Sequence, residues 1–531
     1  MSKIKRFDFS FLSKDEVIIF YGILVINITF LFYTRFYPSM DGPAHLYNSN
    51  LIKQLLVRNS FLGQFYQIST FPIPNWTSHF ILTFLHFLFP GWLCEKLLII
   101  LYVTGMALSF RHLIKTLKPE NVALSIFIFP FIYSFLFHLG FYNYSISFIF
   151  FFLTLSFWIN NYKANQPSLY LYTGLFLIGT YLSNILTFAF LGITLGCTIF
   201  LFEAESNSLL SKKYIGSCLQ RLLRLTTGSL PSLLLFIFFF QQVSFPAPQH
   251  QYQSSELIKW INDVRSLIVF SYQGEEVITG QFFHILVFLL LFSIVINENK
   301  ARLRNMFLNA RPTIAYFSVL VAFVLFFVWP DGSSAGMMSD RLSLMFFILF
   351  TILVITQTLP VKLQSVFTVI VIFLHLILLT KHTAIIHDLN RDAISINETA
   401  RYIDENKVVL PVNLSDNWIQ PHFSNYLGVD KPLVILENYE LETNWFPVRW
   451  NANSPEIILG NRPSIDGLSW HQSGNTSKQL PIDYIFLYGN LSKIGDNNWK
   501  ELNEIIDTEF ILKYKSKDNY IELYQRKLEK P

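Results

Sequence analysis

Asp41 and His45 lie four residues apart in the stretch FYPSMDGPAHLYNSN, directly after an apolar run of membrane-spanning length. An acid and an imidazole at that spacing share one face of a helix. Such a pair suits a general base, or a metal ligand, working at a membrane surface. The same residues also read as a plain helix start. Asp-Gly-Pro ahead of AHLYNSNLIKQLL fits an acidic cap with proline in the first turn, and His45 is then an interfacial histidine with no further role.

Three further groups carry substrate-binding chemistry. His138, Tyr142 and Asn143 in FHLGFYNYS can face a substrate, or simply close a tight helical hairpin. Glu275 and Glu276 stand just before an apolar run, where they bind substrate or act as an acidic cap on its first turn. Asp340 and Arg341 end the Gly- and Ser-rich stretch PDGSSAGMMSDR at a helix start. Backbone N–H groups, a helix dipole and a guanidinium together suit a phosphate, the plainer reading being a flexible turn with a local Asp340–Arg341 pair. Trp418, Trp445 and Trp450, with many tyrosines around them, offer faces on which sugars stack, or else serve packing. There is no P-loop, GxGxxG, HExxH or paired CxxC, so neither an energy-coupling module nor a redox cofactor site is expected.

These residues need elements to hold them, and composition says which kind. The chain has 531 residues, 52% hydrophobic and 14% charged, with 55 Phe. Soluble domains keep roughly a quarter of their residues charged, so the pattern is that of an integral membrane protein. The three cysteines all precede residue 219, which leaves the polar tail without a disulfide or a Cys-based metal site. No small-residue cleavage site follows the first apolar run, so that run is expected to stay as an anchor.

Apolar runs predict about eleven spans, at 16–34, 92–111, 121–138, 145–160, 168–183, 185–202, 225–242, 281–297, 313–329, 341–358 and 363–380. Segment 76–90 is only marginally long for crossing and is read as dipping into the interface. With that reading the loops on the N-terminal side carry 17 Lys/Arg and the opposite loops 6. Basic residues favour the cytoplasmic side, which places the N-terminus inside and the tail outside. The long polar loops 35–75, 243–280 and 330–340 then share the outer side with the tail. The predicted fold is a membrane all-α helical bundle over 1–380 with a small C-terminal extracytoplasmic α/β domain over 381–531. In that domain residues 383–406 read as an amphipathic helix, KVVLPV, PLVILEN and DYIFLYG as strands, and EFILKYKSKDNYIELYQRK as a hairpin turning near Asp518 and Asn519.

This layout resembles the GT-C class of membrane glycosyltransferases, which includes the dolichyl- and polyprenyl-phosphate-sugar transferases. The resemblance covers the whole architecture, and at residue level it rests on Asp41 in PSMDGPAH. It departs from the family in two places. Asp41 stands without the second acid of the usual pair, and His138 and Asn143 replace the acid that many members carry in the second outer loop. The resemblance implies transfer of a hexosyl or pentosyl group from a polyprenyl-phosphate donor to a glycan, lipid or protein acceptor on the outer side. Asp41, with His45, is the implied base, and Arg341 the partner of the leaving phosphate. A divalent cation, Mg or Mn, is the one implied cofactor. Membrane lipids are expected as partners and nucleic acid is not. The implied location is a bacterial inner membrane, with the C-terminal domain periplasmic or extracellular. Rival readings are a non-catalytic scaffold or glycan-binding protein of the same fold, and a transporter. A transporter is expected to place charges or Gly/Pro breaks mid-span, and few occur.

The topology is directly testable. Single cysteines at Ser254 and Ser477, in a background without native thiols, should react with an impermeant reagent in intact cells, and one at Ser211 should not. Labelling of Ser211 with protection of Ser477 would invert the arrangement.

Overall fold

The computed structural model describes residues 15–209, 211–242, 252–296, 310–331, 336–442, 445–451, 482–495 and 499–527. The chain forms two compact units that cut across its linear order. One gathers residues 1–30, 101–137 and 144–383, the other residues 31–100, 138–143 and 384–531.

The first unit is helical. Across the described residues of the whole chain, seven helices are long and apolar enough to span a membrane, or eight if the bent pair Lys212–Gly228 and Leu230–Gln242 is one span. The count of eleven is therefore not reached, for local reasons. Glu16–Leu31 has 16 residues and Pro167–Ser183 has 17. Residues 121–138 do not form one helix. Pro119–Ile128 winds as a 3₁₀ helix with non-helical Asn121, and Pro130 opens the separate turn Phe129–Ile132. The run 225–242 breaks beside Pro231, where a missing N–H and a restricted preceding residue produce a 69° bend.

Met338–Ile355 is the central helix of this unit, with 94% of its apolar window buried. A helix that is apolar all round belongs inside a bundle. Its C-terminal carbonyls find a partner within the protein: Asn121 Nδ2 donates to Ile355 O at 2.5 Å and to Gln357 O at 2.6 Å. The final long helix runs unbroken from Val361 to Thr399, 39 residues, so the segment read as a separate amphipathic helix continues the last span.

The second unit contains the sheet. Five strands pair in the order β3-β2-β5-β7-β6, with β2 Lys407–Leu414, β3 Leu433–Ile435, β5 Tyr484–Gly489, β6 Phe510–Lys515 and β7 Ile521–Arg526. β2 runs parallel to β3 and β5, while β7 is antiparallel to β5 and β6. Asn519, at φ +55°, turns the β6–β7 hairpin where the sequence places it. A second, two-stranded pairing joins β1, Tyr66–Ile68, to β4, Val448–Trp450.

Residues 31–100 thus pack with the tail. The Tyr47 hydroxyl donates to Leu433 O at 2.7 Å and accepts from Ile435 N at 3.1 Å, satisfying the edge of β3. The Thr77–His86 helix is ten residues long. At 1.5 Å per residue it rises about 15 Å, half the thickness of a bilayer core.

Candidate functional site

Asp41 is the residue before the Gly42–Leu56 helix, yet its side chain makes no cap hydrogen bond. The cap role passes to Ser39, whose hydroxyl accepts from Gly42 N at 3.1 Å and lies 2.9 Å from the Tyr142 hydroxyl. Backbone contacts fix Asp41 instead. Met40 N donates to His138 O at 3.1 Å and Asp41 N to Leu139 O at 3.0 Å. Gly140 closes this pairing at φ +88°, and a Cβ there would lie 2.8 Å from both the Asp41 Cβ and Gly42 N. Only glycine fits, both for its backbone conformation and for its space.

The freed carboxylate faces the tail. His422 Nε2 lies 3.6 Å from Asp41 Oδ1. The other nitrogen of that ring, Nδ1, is 2.7 Å from Glu437 Oε1. Glu437 is held in turn by Ser424 Oγ at 3.0 Å and Asn425 Nδ2 at 2.7 Å on its second oxygen. Tyr439 stacks on the His422 ring with centroids 4.5 Å apart. Its hydroxyl reaches the field of Asp41 but makes no hydrogen bond of ordinary geometry.

Asp41, His422 and Glu437 are all buried. Burial pushes the Asp41 carboxyl above its ordinary 3.8, against the pull of His422 and His45. Burial also works against charge on His422, but the adjoining Glu437 outweighs it and holds the imidazole above its ordinary 6.5. The result is a row of acid, imidazole and acid in a dry setting, with Asp41 at its end.

A second cluster adjoins this row. His45 Nδ1 lies 2.5 Å from Glu440 Oε1, and His79 Nε2 2.8 Å from Glu440 Oε2. His45 Nε2 donates to Gly140 O at 2.9 Å. Glu440 is depressed below its ordinary 4.5 because, although burial raises it, His79 and His45 outweigh that effect. His45, His79 and Glu440 form the one group of three among the described residues with the geometry to hold a metal ion.

The other sequence candidates have found definite places. Asn143 accepts from Ser78 N at 2.7 Å and donates to Asn75 O at 3.0 Å, so it sets the start of the helix that carries His79. His138 is fully buried, with its Nε2 3.0 Å from the Tyr37 hydroxyl. In the helical unit, Glu275 takes the capping role. It accepts from Val269 N at 2.6 Å, Phe270 N at 3.1 Å and Ser271 N at 3.2 Å, with a His382 ring nitrogen also 3.2 Å away. Glu276 beside it is half-buried.

The phosphate reading of 330–341 needs correcting in one respect. The first N–H groups of the Met338 helix are already taken: Met338 N donates to Asp331 Oδ1 at 3.0 Å and Ser339 N to Oδ2 at 3.3 Å. Asp340 has Arg265 Nε at 3.9 Å, and the Arg341 guanidinium sits over the Tyr144 ring at 5.8 Å. Gly332 lies outside the described residues.

Sequence reasoning singled out the two tail segments that hold His422, Glu437 and Glu440, but for their tryptophans. Trp450 stacks on Tyr66 at 4.9 Å and Trp418 is exposed. The available signal was ENYE, two acids three apart in an aromatic stretch, where one turn of helix points both carboxylates to one side.

Spanning-length apolar helices and a small sheet region make this an integral membrane protein, and its fold is of the GT-C kind. No family model and no curated protein matches the sequence. Among solved structures the chain is similar to ArnT from Cupriavidus metallidurans in the apo state, at a TM-score of 0.54 and 9% identity, over 96% of this chain and 98% of that one. ArnT is a GT-C glycosyltransferase. At that identity the likeness carries the fold.

The Gly140 contact makes a specific demand on the chain. Gly140→Ala should lower the thermal midpoint of the purified protein, with about 1–2 kcal/mol lost to backbone conformation alone. Gly63→Ala, where a Cβ meets nothing within 4 Å, should leave it unchanged. Equal midpoints for both variants would remove Gly140 from the support of Asp41.

Proposed function

We propose that this protein is a membrane glycosyltransferase that moves a sugar from a polyprenyl-phosphate donor to an acceptor hydroxyl on the outer side of the membrane, with Asp41 as general base. One observation carries the reading. Asp41 stands at a helix start without capping it, and its carboxylate is buried 3.6 Å from His422, which Glu437 holds from behind. A capping acid needs none of that apparatus.

In the proposed reaction the acceptor oxygen attacks the anomeric carbon, the bond from that carbon to the phosphate oxygen breaks, and the acceptor proton passes to Asp41. A single displacement of this kind inverts the anomeric centre. Burial raises the proton affinity of Asp41, which strengthens it as a base. His422 opposes that rise, so it is a positioning residue that sets the balance. The leaving phosphate needs a cation. Within the helical unit Arg341 is kept as a donor-binding candidate through its guanidinium alone, the helix N–H groups being occupied by Asp331. On this reading Arg341→Lys raises the KM for donor modestly and Arg341→Ala raises it more.

The decisive variant is Asp41→Asn. It keeps size and shape, and transfer should fall by about 10²–10⁴-fold with the thermal midpoint retained. Turnover near wild type would sink the assignment. The pH profile supplies an independent check. Transfer should rise with pH along an acid limb above 3.8, the ordinary Asp value, as Asp41 loses its proton. His422→Gln removes the neighbouring positive charge, so the limb should move to higher pH. An unmoved limb would leave His422 with packing alone.

A further inference from the structure

His45, His79 and Glu440 come from three distant parts of the sequence and meet in the interior of one unit, 3%, 0% and 0% exposed. Their facing nitrogen and oxygen atoms all lie within 4.8 Å of one another. The orientation of His45 is informative. Its Nε2 is committed to Gly140 O, and a carbonyl only accepts, so the proton sits on Nε2. Nδ1 points at Glu440 Oε1 from 2.5 Å, so either a proton or a metal ion must stand between the two atoms. Two lone pairs at that distance repel unless a positive centre lies between them. His79 aims Nε2 at the other oxygen of the same carboxylate, and its Nδ1 has only Ser78 Oγ, at 3.5 Å.

We propose that His45 Nδ1, His79 Nε2 and the Glu440 carboxylate bind one divalent transition-metal ion, zinc in the first instance. Two imidazoles with a carboxylate are a zinc-type donor set, whereas Mg²⁺ prefers oxygen ligands throughout. An imidazole whose remaining N–H is donated to a backbone carbonyl is the usual arrangement around a bound metal, since it fixes the tautomer and raises ligand basicity. Ligand atoms of a tetrahedral zinc site stand about 3.3 Å apart, and the atoms here lie between 2.5 and 4.8 Å of one another, so side-chain shifts of about 1–1.5 Å close them on one ion.

The supports are already in place. Asn143 holds the first turn of the helix bearing His79. The residues flanking Glu440 are tied to those flanking His45, because Asn438 and Asn48 exchange amide hydrogen bonds of 2.6 and 3.2 Å. Three protein ligands leave a coordination position for water or a substrate oxygen. Asp41 lies within the electrostatic reach of both His45 and Glu440, so the ion would add its charge beside the candidate base. Metal uptake by these ligands does not depend on the transferase reading and is expected of a scaffold as well.

The test uses the full chain in detergent, stripped with chelator, dialysed and titrated with zinc against a chromophoric competitor, with metal content read by mass spectrometry. Wild type should take up one equivalent, and excess Mg²⁺ should not displace it. Glu440→Gln and His79→Gln should each weaken binding by more than the ~10–100-fold typical of groups behind the ligands. Asp41→Asn should keep its equivalent while losing transfer, which separates this inference from the transferase reading. X-ray absorption at the zinc edge of the wild type should show two imidazoles. Absence of stoichiometric zinc, undiminished affinity in both ligand variants, or a spectrum without imidazole would overturn the proposal. A cluster held by a proton on His45 alone would show the first of these.

Discussion

A carboxylate taken out of water must be met by positive charge or by several hydrogen-bond donors, and the tail of this protein buries two such acids three residues apart. Glu437 is met by His422, Ser424 and Asn425, and Glu440 by His45 and His79. Because His45 belongs to the first polar loop and His79 to the Thr77–His86 helix after it, neutralising Glu440 obliges both to lie against the tail. The pairing of β1 with β4, the Tyr47 hydroxyl on β3 and the Asn48–Asn438 exchange follow the same docking. Asp41 gains its place from it as well. With His45 drawn to Glu440 and to Gly140 O, the residue one turn earlier is turned towards His422.

Local signals were legible in the sequence where local physics decides. The β6–β7 hairpin announces itself through Asp518 and Asn519 between alternating apolar residues, and the short helix at 77–86 through a run too brief to cross. Asp41 was visible as an acid at the exit of an apolar run, but its two readings could not be separated. A cap and a base call for the same residue type at the same place, and only the hydroxyl of Ser39 accepting from Gly42 N decides between them. Glu275 went the other way, as its oxygens take three backbone N–H groups of the preceding turn. Among the described residues two of the expected spans are interrupted near prolines. Hydropathy does not register that Pro130 and Pro231 each start a new helix.

The partners of Asp41 were not legible because nothing local marks them. His422 and Glu440 are separated from the first loop by nearly the whole chain, and the ENYE pair that holds Glu440 gives no hint of which loop it meets. Composition also misled in the tail. Tryptophans drew attention to 416–428 and 437–451, while the residues that face the buried acid there are a histidine and two glutamates. The fold assignment rests on the course of the helices and sheet, which a TM-score of 0.54 to ArnT captures and 9% identity does not.

The His45–Glu440 contact spans 395 residues of sequence. During synthesis the first loop is made early, and its histidine and tyrosines must wait while every later helix is inserted. Closing so long a loop carries an entropic cost that grows only with the logarithm of its length, so the delay rather than the energy is what matters. Until the tail arrives, Asp41 has no imidazole beside it and β3 has no tyrosine at its edge. The counter-charges around Asp41 and Glu440 are therefore completed last. A nascent or cut product lacking Glu440 and His422 would hold the first loop without its counter-charges, and only the finished polypeptide would present Asp41 in its dry setting.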